Sequence, residues 1–433
     1  MSQPTSSSNN ITTKILIGMI TGLIVGVLIQ VLFSDSKWFD TYLVNGLFQI
    51  TGGIFVRVLE MLVVPLVLVS LVCGVCSLAD PSKLGRVGGK ALCLYLLTTA
   101  IAITLALTAA TVFKPGEGAN PTVTMERQIN DPTPFTQVIT NIVPDNIIKA
   151  MANGDMLPII VFAILLGLSI TFAGESGRRI GDFFRDMNEV IMKLVTIVMR
   201  FAPYGVFALI AKLAATTDIG TFTGVLKYIV LVMVMLIIHA ALVYPMLLKL
   251  FTGLSPKIFL TKMRSMLMFA FSTASSNATI PVTLRTVEER LGVNNKIASF
   301  TVPMGATINM DGTAIMQGIA TGFIAQYYGI ALDPGQYLVV VLMVIMASIG
   351  AAGVPSVGLV LLAGVLAQVG LPPEGIALIL GVDRILDMTR TAVNVTGDAV
   401  VTCIVANSEG ELDKSVFHDK NAGVISTDDP QTA

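Results

Sequence analysis

Charge is what this sequence has least of: 13% of its 433 residues are Asp, Glu, Lys or Arg, against about 25% in soluble domains. With 54% hydrophobic residues and a mean hydropathy of +0.80, that deficit excludes a water-soluble fold. The net charge is -1, so there is no basic footprint for nucleic acid. Histidine is nearly absent, with only His239 and His418, and neither is close in sequence to the serine-rich stretch at Ser275 and Ser276. Without a G-x-S-x-G motif, a serine hydrolase acting inside the membrane is a remote alternative. Gly85, Gly88, Gly89 and Lys90 miss the P-loop spacing, which argues against an ATP-driven pump. The chain is read as no enzyme. Cysteine is scarce too: Cys73, Cys76, Cys93 and Cys403 all lie in apolar stretches and describe no disulfide framework. Cys73 and Cys76 form a C-x-x-C, which small residues at helix contacts explain better than redox chemistry does.

What the chain has instead is long uncharged runs. Ile15 to Phe33, Ala91 to Phe113, Met156 to Ala173 and Tyr228 to Leu248, the last interrupted only by His239, each approach the roughly 20 residues that cross a hydrocarbon core. The first run is too long for a signal-peptide core and lacks a small-residue cleavage site, so it is expected to stay as a helix. Lys and Arg gather at Lys83, Arg86 and Lys90, at Arg178, Arg179 and Arg185, and from Lys249 to Arg264. By the positive-inside rule these loops face the cytoplasm, which places the N-terminus inside and gives an up-down order for the first six spans. Residues 1–13 form a polar N-terminal segment, and the polar tail 407–433, from Asn407, is expected to be unstructured and cytoplasmic.

Past Phe251 the simple pattern fails. Ser255 to Leu291 holds two apolar arms around Ser272 to Pro281, but the outer parts carry Lys257, Lys262, Arg264, Arg285, Glu288, Glu289 and Arg290. A helix that enters, turns at the small polar tip and leaves on the same side satisfies both facts. Pro334 to Pro373 is a run of 40 residues without a charge, too long for one span, and broken by Gly350 to Gly358. A second re-entrant hairpin is the economical reading. Each hairpin is followed by a long segment with polar groups at its middle, Ile297 to Leu332 and Ile376 to Ala406. Such doubled interruptions point to a transporter site made of discontinuous helices, because broken helices free backbone groups that lipid cannot satisfy but ions and a charged solute can.

The last of these segments contains Asp383, Arg384, Asp387, Arg390 and Asp398, although each charge at a bilayer centre costs about 2.5 to 3.5 kcal/mol. At about 100° per residue, Asp383, Asp387, Arg390, Thr391, Asn394 and Asp398 share one face. Ion pairing absorbs Asp383 with Arg384 or Arg390, and leaves Asp387 and Asp398 expected to meet bound ligands. The segment before carries one charge, Asp311, within Asn309 to Thr313, where Gly312 is expected to weaken the helix. Carboxylate, amide and carbonyl oxygens without sulfur suit a hard alkali cation. A buried Asp311 bonded to Tyr95 or Thr98 is the alternative. A solute with an ammonium and an extra carboxylate matches Asp387 and Arg390, since an Arg fork binds carboxylates bidentately, while a hairpin helix N-terminus holds the other carboxylate. Moving such an acidic assembly through oil calls for cations to travel with it.

These residues resemble a known family. Gly305-Ala-Thr-Ile-Asn-Met-Asp-Gly-Thr313, Gly350 to Pro355 and Asp383 to Asp398 are similar to the motifs of the dicarboxylate/amino acid:cation symporters, which include archaeal sodium-aspartate transporters and mammalian excitatory amino acid transporters. The likeness covers nearly the whole chain. It implies an all-α integral membrane protein with eight transmembrane helices, two re-entrant helical hairpins and inverted repeats, working as an elevator in a homotrimer within the lipid of the plasma (bacterial inner) membrane, with no cofactor and with Na+ co-transported. The scaffold would be 14–90 and 140–226 (the first, second, fourth and fifth spans), and the moving part 91–139 and 227–406, including the hairpins 255–291 and 334–373.

By the same resemblance Asp387 binds the substrate ammonium and Arg390 its side-chain carboxylate, while Thr313, Thr391 and Asn394 complete the pocket with backbone at Ser276 and Val354, beside Ser275. One sodium site resembles Gly305, Asn309, Asn394 and Asp398. A second resembles Tyr95, Thr98, Thr99, Asn309 and Asp311, and a third uses backbone near Thr307, Ser348, Ile349 and Ala351. There are departures. The first tip reads Ala274-Ser-Ser-Asn277 where archaeal relatives have Arg followed by three serines. Gln317 stands where mammalian proton- and potassium-coupled members carry Glu, which argues against that cycle, and Asp398, missing from some proton-coupled bacterial members, favours sodium. The implied function is symport of aspartate or glutamate, with a C4-dicarboxylate or proton-coupled glutamate symporter as the alternative. One methylene is a matter of pocket dimensions, so the choice between aspartate and glutamate stays open.

Overall fold

The structure, a computed structural model, describes residues 7–33, 36–78, 84–118, 143–154, 156–216, 219–349, 357–380 and 382–423. Among them there is no strand, only an isolated antiparallel bridge between Val293 and Leu412. The helices are α1 (Ser7–Leu32), α2 (Gln49–Leu78), α3 (Gly89–Phe113), α4 (Ile147–Asn153), α5 (Met156–Phe172), α6 (Gly174–Met199), α7 (Ala202–Thr216), α8 (Ile219–Ile238), α9 (Tyr244–Thr252), α10 (Pro256–Thr273), α11 (Ser276–Arg285), α12 (Asn295–Ile308), α13 (Asp311–Tyr327), α14 (Pro334–Ser348), α15 (Val357–Gln368), α16 (Ile376–Leu380), α17 (Asp383–Glu409) and α18 (Lys414–His418). Wider π-helical turns lead into α2 (Phe39–Phe48) and α3 (Leu84–Gly88), join α8 to α9 (His239–Val243), and extend α11 (Thr286–Arg290).

Among the described residues, two continuous helical stretches, Arg86–Phe113 and Thr223–Thr252, are long and apolar enough to cross a membrane, and Gly174–Val198 with Ala202–Thr216 is so too as a pair bent by 49°. Local chemistry sets the boundaries between them. Gly253 leaves α9 at φ 73°, and Pro256 opens α10 at a first-turn position where its missing N–H costs nothing. At α14 the Asp333 carboxylate accepts from the Gln336 N–H while the Gln336 side chain accepts from the Asp333 N–H, a reciprocal cap that satisfies two otherwise orphaned donors.

The two polar-centred segments form the core. Helix α13 is buried from Asp311 to Ala325, enclosed by α3, α8, α14, α15 and α17, and α17 in turn is covered by α9, α10, α12 and α13. A helix enclosed on every side presents its polar residues to protein and not to lipid, so charges there are met by partners or ligands. Away from this core, α1 lies against α7 so closely that a Cβ at Gly18, Gly22 or Gly26 would stand within 2.6 Å of the carbonyl oxygens of Pro203, Phe207 or Ala211.

Three expectations need correction. Ile297 to Leu332 is two helices, and the break falls at Asn309–Met310, before Gly312. Gly312 has another task, since a Cβ there would stand 2.7 Å from the Arg390 carbonyl oxygen; it lets α13 touch α17. Ile376 to Ala406 is likewise divided, into α16 and α17. The chain from Asn407 is ordered as far as it is described: α17 runs to Glu409, Leu412 pairs with Val293, and Phe417 in α18 is fully buried. Polarity misled here, because hydrogen bonds to the base of the first hairpin hold this segment.

Candidate substrate and cation site

The first candidate hairpin is a helix–tip–helix unit, and the two arms of the second, α14 and α15, pack against each other. In the first, Ala274 ends α10 in the left-handed region (φ 49°), and the Ser275 hydroxyl caps α11 by accepting from the Ala278 N–H at 3.2 Å. Helix α11 packs against α12 and α17, so Ser276 begins a helix whose first N–H groups lack intrahelical acceptors on the side of the charged face. In the second, the tip, with Val354 and Ala351, lies outside the described residues. Its second arm reaches the same place: a Cβ at Gly358 would stand 2.9 Å from Thr313 Cγ2 and 3.7 Å from Arg390 Cζ, and the Gln317 amide donates to the Gly358 carbonyl at 3.1 Å.

The face of α17 is built as the spacing requires, with Asp383, Arg384, Asp387, Arg390, Thr391, Asn394 and Asp398 all buried on one continuous helix. Its pairing matches expectation at Asp383, which meets Arg390, and differs at Asp387. Arg390 Nη2 donates to Asp387 Oδ1 at 2.7 Å, Arg390 Nη1 stands 2.8 Å from Asp383 Oδ1, and Arg384 Nη1 stands 3.6 Å from Asp387 Oδ2. Asp387 is therefore not left without a cation; Arg residues three positions away on either side turn to it along the same helix face. Nη1 is thus ion-paired with Asp383, and among the described residues Arg390 Nε has no hydrogen-bond acceptor. A buried guanidinium with an open donor is fit to take an incoming carboxylate.

Asn309 and Asp311 flank the break between α12 and α13. Asn309 Nδ2 donates to Asp398 Oδ1 at 2.9 Å and to the Asn394 carbonyl at 3.0 Å, and its Oδ1 accepts from Thr98 at 3.4 Å. Asn394 Oδ1 accepts from the Gly312 N–H at 2.8 Å. Asp311 accepts from the Thr99 hydroxyl at 2.6 Å on Oδ1. The partner expected from the sequence, Tyr95 or Thr98, is otherwise engaged: Tyr95 donates to the Thr301 carbonyl and Thr98 turns to Asn309. Asp311 and Asp398 are 0% and 1% exposed, and among the described residues neither has a Lys or Arg partner. Gly305 lets α12 approach Asp398 and Tyr95, since a Cβ there would stand 2.4 Å from Asp398 Oδ1 and 2.7 Å from the Tyr95 hydroxyl.

Three further candidates bond back along their own helices. Thr307 bonds back to the Met304 carbonyl at 2.9 Å, Ser348 to the Ile345 carbonyl at 2.7 Å at the end of α14, and Thr391 to the Asp387 carbonyl at 2.9 Å. Two residues on Asp311 escaped the sequence reading, His239 and Tyr244; they come together only through the π-helical turn between α8 and α9.

Comparison with known proteins places this geometry. Residues 11–408 match the profile of the sodium:dicarboxylate symporter family. The chain is 37% identical over 375 residues to a proton/sodium-glutamate symport protein of Geobacillus stearothermophilus (84% of this chain, 89% of that protein). It is 38% identical over 393 residues to a proton/glutamate-aspartate symporter of Escherichia coli (strain K12) (88% and 89%). With excitatory amino acid transporter 1 of Ambystoma tigrinum it shares 35% identity over 431 residues (86% and 79%). The chain belongs to the sodium:dicarboxylate symporter family.

Proposed function

We propose that this protein is a sodium-coupled symporter of an acidic amino acid, aspartate or glutamate. One observation carries the reading: Asp311 and Asp398 are fully buried carboxylates with no Lys or Arg partner among the described residues, and an ionised group in that position demands a cation. The oxygens around them, from Asn309, Thr98, Thr99 and Asn394, suit an alkali metal ion. Gly305, Asn309, Asn394 and Asp398 would hold one ion, Tyr95, Thr98, Thr99, Asn309 and Asp311 a second, and backbone at Thr307, Ser348, Ile349 and Ala351 a third.

For the substrate, the open donor of Arg390 receives the side-chain carboxylate. Asp387, thereby released from Arg390, turns to the ammonium. Thr313, Thr391, Asn394 and the backbone at Ser276 and Val354 complete the pocket, with the α11 N-terminus facing the main-chain carboxylate. The named relatives act on glutamate and aspartate, in keeping with this pairing of groups. Residues 91–139 and 227–406 would move as an elevator against a scaffold of 14–90 and 140–226, in a homotrimer of eight-span protomers with both termini in the cytoplasm of a bacterial cell. The enclosure of α13 and α17 within one body supports that division.

Proton coupling is the second reading, favoured by the relatives whose names include protons. Purified protein in liposomes should take up labelled aspartate under an inward sodium gradient and not under a proton gradient alone. The reverse result would exclude sodium symport. Competition by glutamate, succinate and serine then ranks the substrates.

A further inference from the structure

We propose that His239 is a positioning residue for the coupled cation, holding the Asp311 carboxylate so that one defined oxygen lone pair faces the ion. The inference rests on the sodium reading of Asp311 above. His239 is fully buried, and its Nε2 stands 3.2 Å from Asp311 Oδ2. The Tyr244 hydroxyl donates to the same oxygen at 2.7 Å, while Thr99 donates to Oδ1 at 2.6 Å.

The backbone is shaped to bring this about. His239 and Tyr244 are five residues apart, so in a regular α-helix, at about 100° per residue, they would point about 140° apart. The chain instead makes a π-helical turn over His239–Val243, closed by the Tyr244 N–H donating to the His239 carbonyl. That i to i+5 bond stacks the second residue over the first. The rings meet edge to face at 4.5 Å between centroids. Room for Tyr244 comes from Gly397 on α17, where a Cβ would stand 2.3 Å from the Tyr244 hydroxyl and from Asn309 Nδ2. Single π turns inside helices are rare and frequent at functional sites.

Acceptor capacity gives the arrangement its consequence. Each carboxylate oxygen accepts about two hydrogen bonds. Tyr244 and His239 fill Oδ2, and Thr99 takes one position on Oδ1, which leaves a single open direction on Oδ1. The Asp311 carboxylate can only accept, which sets the tautomer: His239 donates through Nε2–H. Its Nδ1, which has no partner among the described residues, then carries only a lone pair and strands no buried N–H. With the histidine removed, Oδ2 regains an open lone pair and the carboxylate is free to turn from the ion.

The test is sodium titration of aspartate uptake, at saturating aspartate, in liposomes carrying the parent, His239→Met, which removes the donor at similar volume, and His239→Gln, which keeps one. His239→Met should raise the half-saturating sodium concentration about tenfold, the size of one hydrogen bond to a charged group, with maximal uptake within about twofold of the parent. His239→Gln should recover most of the shift. Should His239→Met fail to assemble, His239→Asn, polar but too short to reach Oδ2, takes its place. Melting in sodium-free choline buffer separates packing from positioning. A variant that melts earlier there while its sodium half-saturation matches the parent overturns the proposal, as does an equal sodium response in all three proteins. Absence of sodium dependence in the parent itself overturns both this inference and the sodium reading.

Discussion

Arg390 concentrates the substrate question at one side chain. It is 1% exposed, paired with Asp387 and Asp383, and still has an open donor. Arg390→Cys should cost acidic substrates on the order of a hundredfold in uptake, as expected for truncating one member of a buried charge pair, while admitting small neutral amino acids. Labelled aspartate and serine uptake, compared side by side, check this; unchanged aspartate uptake refutes the role given to Arg390. Gly397 makes a second test. An added methyl has nowhere to go between Tyr244 and Asn309, so Gly397→Ala should destabilise by about 1–3 kcal/mol and weaken sodium binding together with it, readable as a lower melting temperature and a raised half-saturating sodium concentration. The residue types at these positions were legible from the sequence because ionised groups in apolar helices have few explanations. Their partners were not: Thr99, and not Thr98 or Tyr95, reaches Asp311, and Asp387 is shared between two arginines, because side-chain pairing depends on rotations that spacing alone does not fix.

Among the elements, the first hairpin could be placed from charge and a small-residue tip, whereas the break expected near Gly312 falls at Asn309–Met310 and the π-helical turn at His239–Val243 could not be placed at all. A π turn inserts one residue into an otherwise ordinary apolar run, and hydrophobic periodicity does not register it when every side of the helix is apolar. The ordered C-terminal segment was missed for the opposite reason, being polar in composition yet held by specific contacts. Lys262 donates to the Arg290 and Val416 carbonyls at 2.6 and 2.7 Å, the Asp413 N–H donates to the Gly292 carbonyl at 2.8 Å, and Phe417 is fully buried. This strap ties the end of α17 to the open end of the first hairpin. Phe417→Ala should cost about 3–5 kcal/mol locally and speed amide hydrogen exchange over Lys414–His418 and Thr286–Arg290; exchange unchanged in both segments contradicts the strap.

Beside the strap, Glu409 accepts from Lys90 at 2.6 Å and from Arg86 Nε at 3.1 Å, joining α17 to the start of α3. The hydrogen bonds from Arg86 and then Lys90 hold its carboxyl below the ordinary value of 4.5. A lowered folded value means that the link's stabilisation is complete above the ordinary Glu range and is lost as pH falls through the lower, folded value. Melting temperature should therefore fall faster below about pH 4.5 in the parent than in Glu409→Gln, and parallel profiles would remove Glu409 from the link.

At the scale of the whole molecule the decisive quantity is the charge that must pass through oil. In the enclosed body of α13 and α17, four carboxylates, Asp311, Asp383, Asp387 and Asp398, face two guanidiniums, Arg384 and Arg390, a balance of two negative charges. An acidic amino acid adds one more. Each uncompensated charge at the bilayer centre costs about 2.5 to 3.5 kcal/mol, so under the proposed elevator reading the loaded body should cross readily only when about three monovalent cations accompany the substrate. A cycle of that kind carries about two positive charges inward per substrate molecule, and each charge gains about 2.3 kcal/mol from a 100 mV inside-negative potential. Aspartate uptake into liposomes should accordingly accelerate when a potassium gradient with valinomycin makes the interior negative. The charge-to-aspartate ratio, measured as current against label, should be close to two. A ratio of zero would mean that the buried carboxylates are neutralised by protons or by each other's arginines, and that Asp311 and Asp398 do not bind the coupled cations.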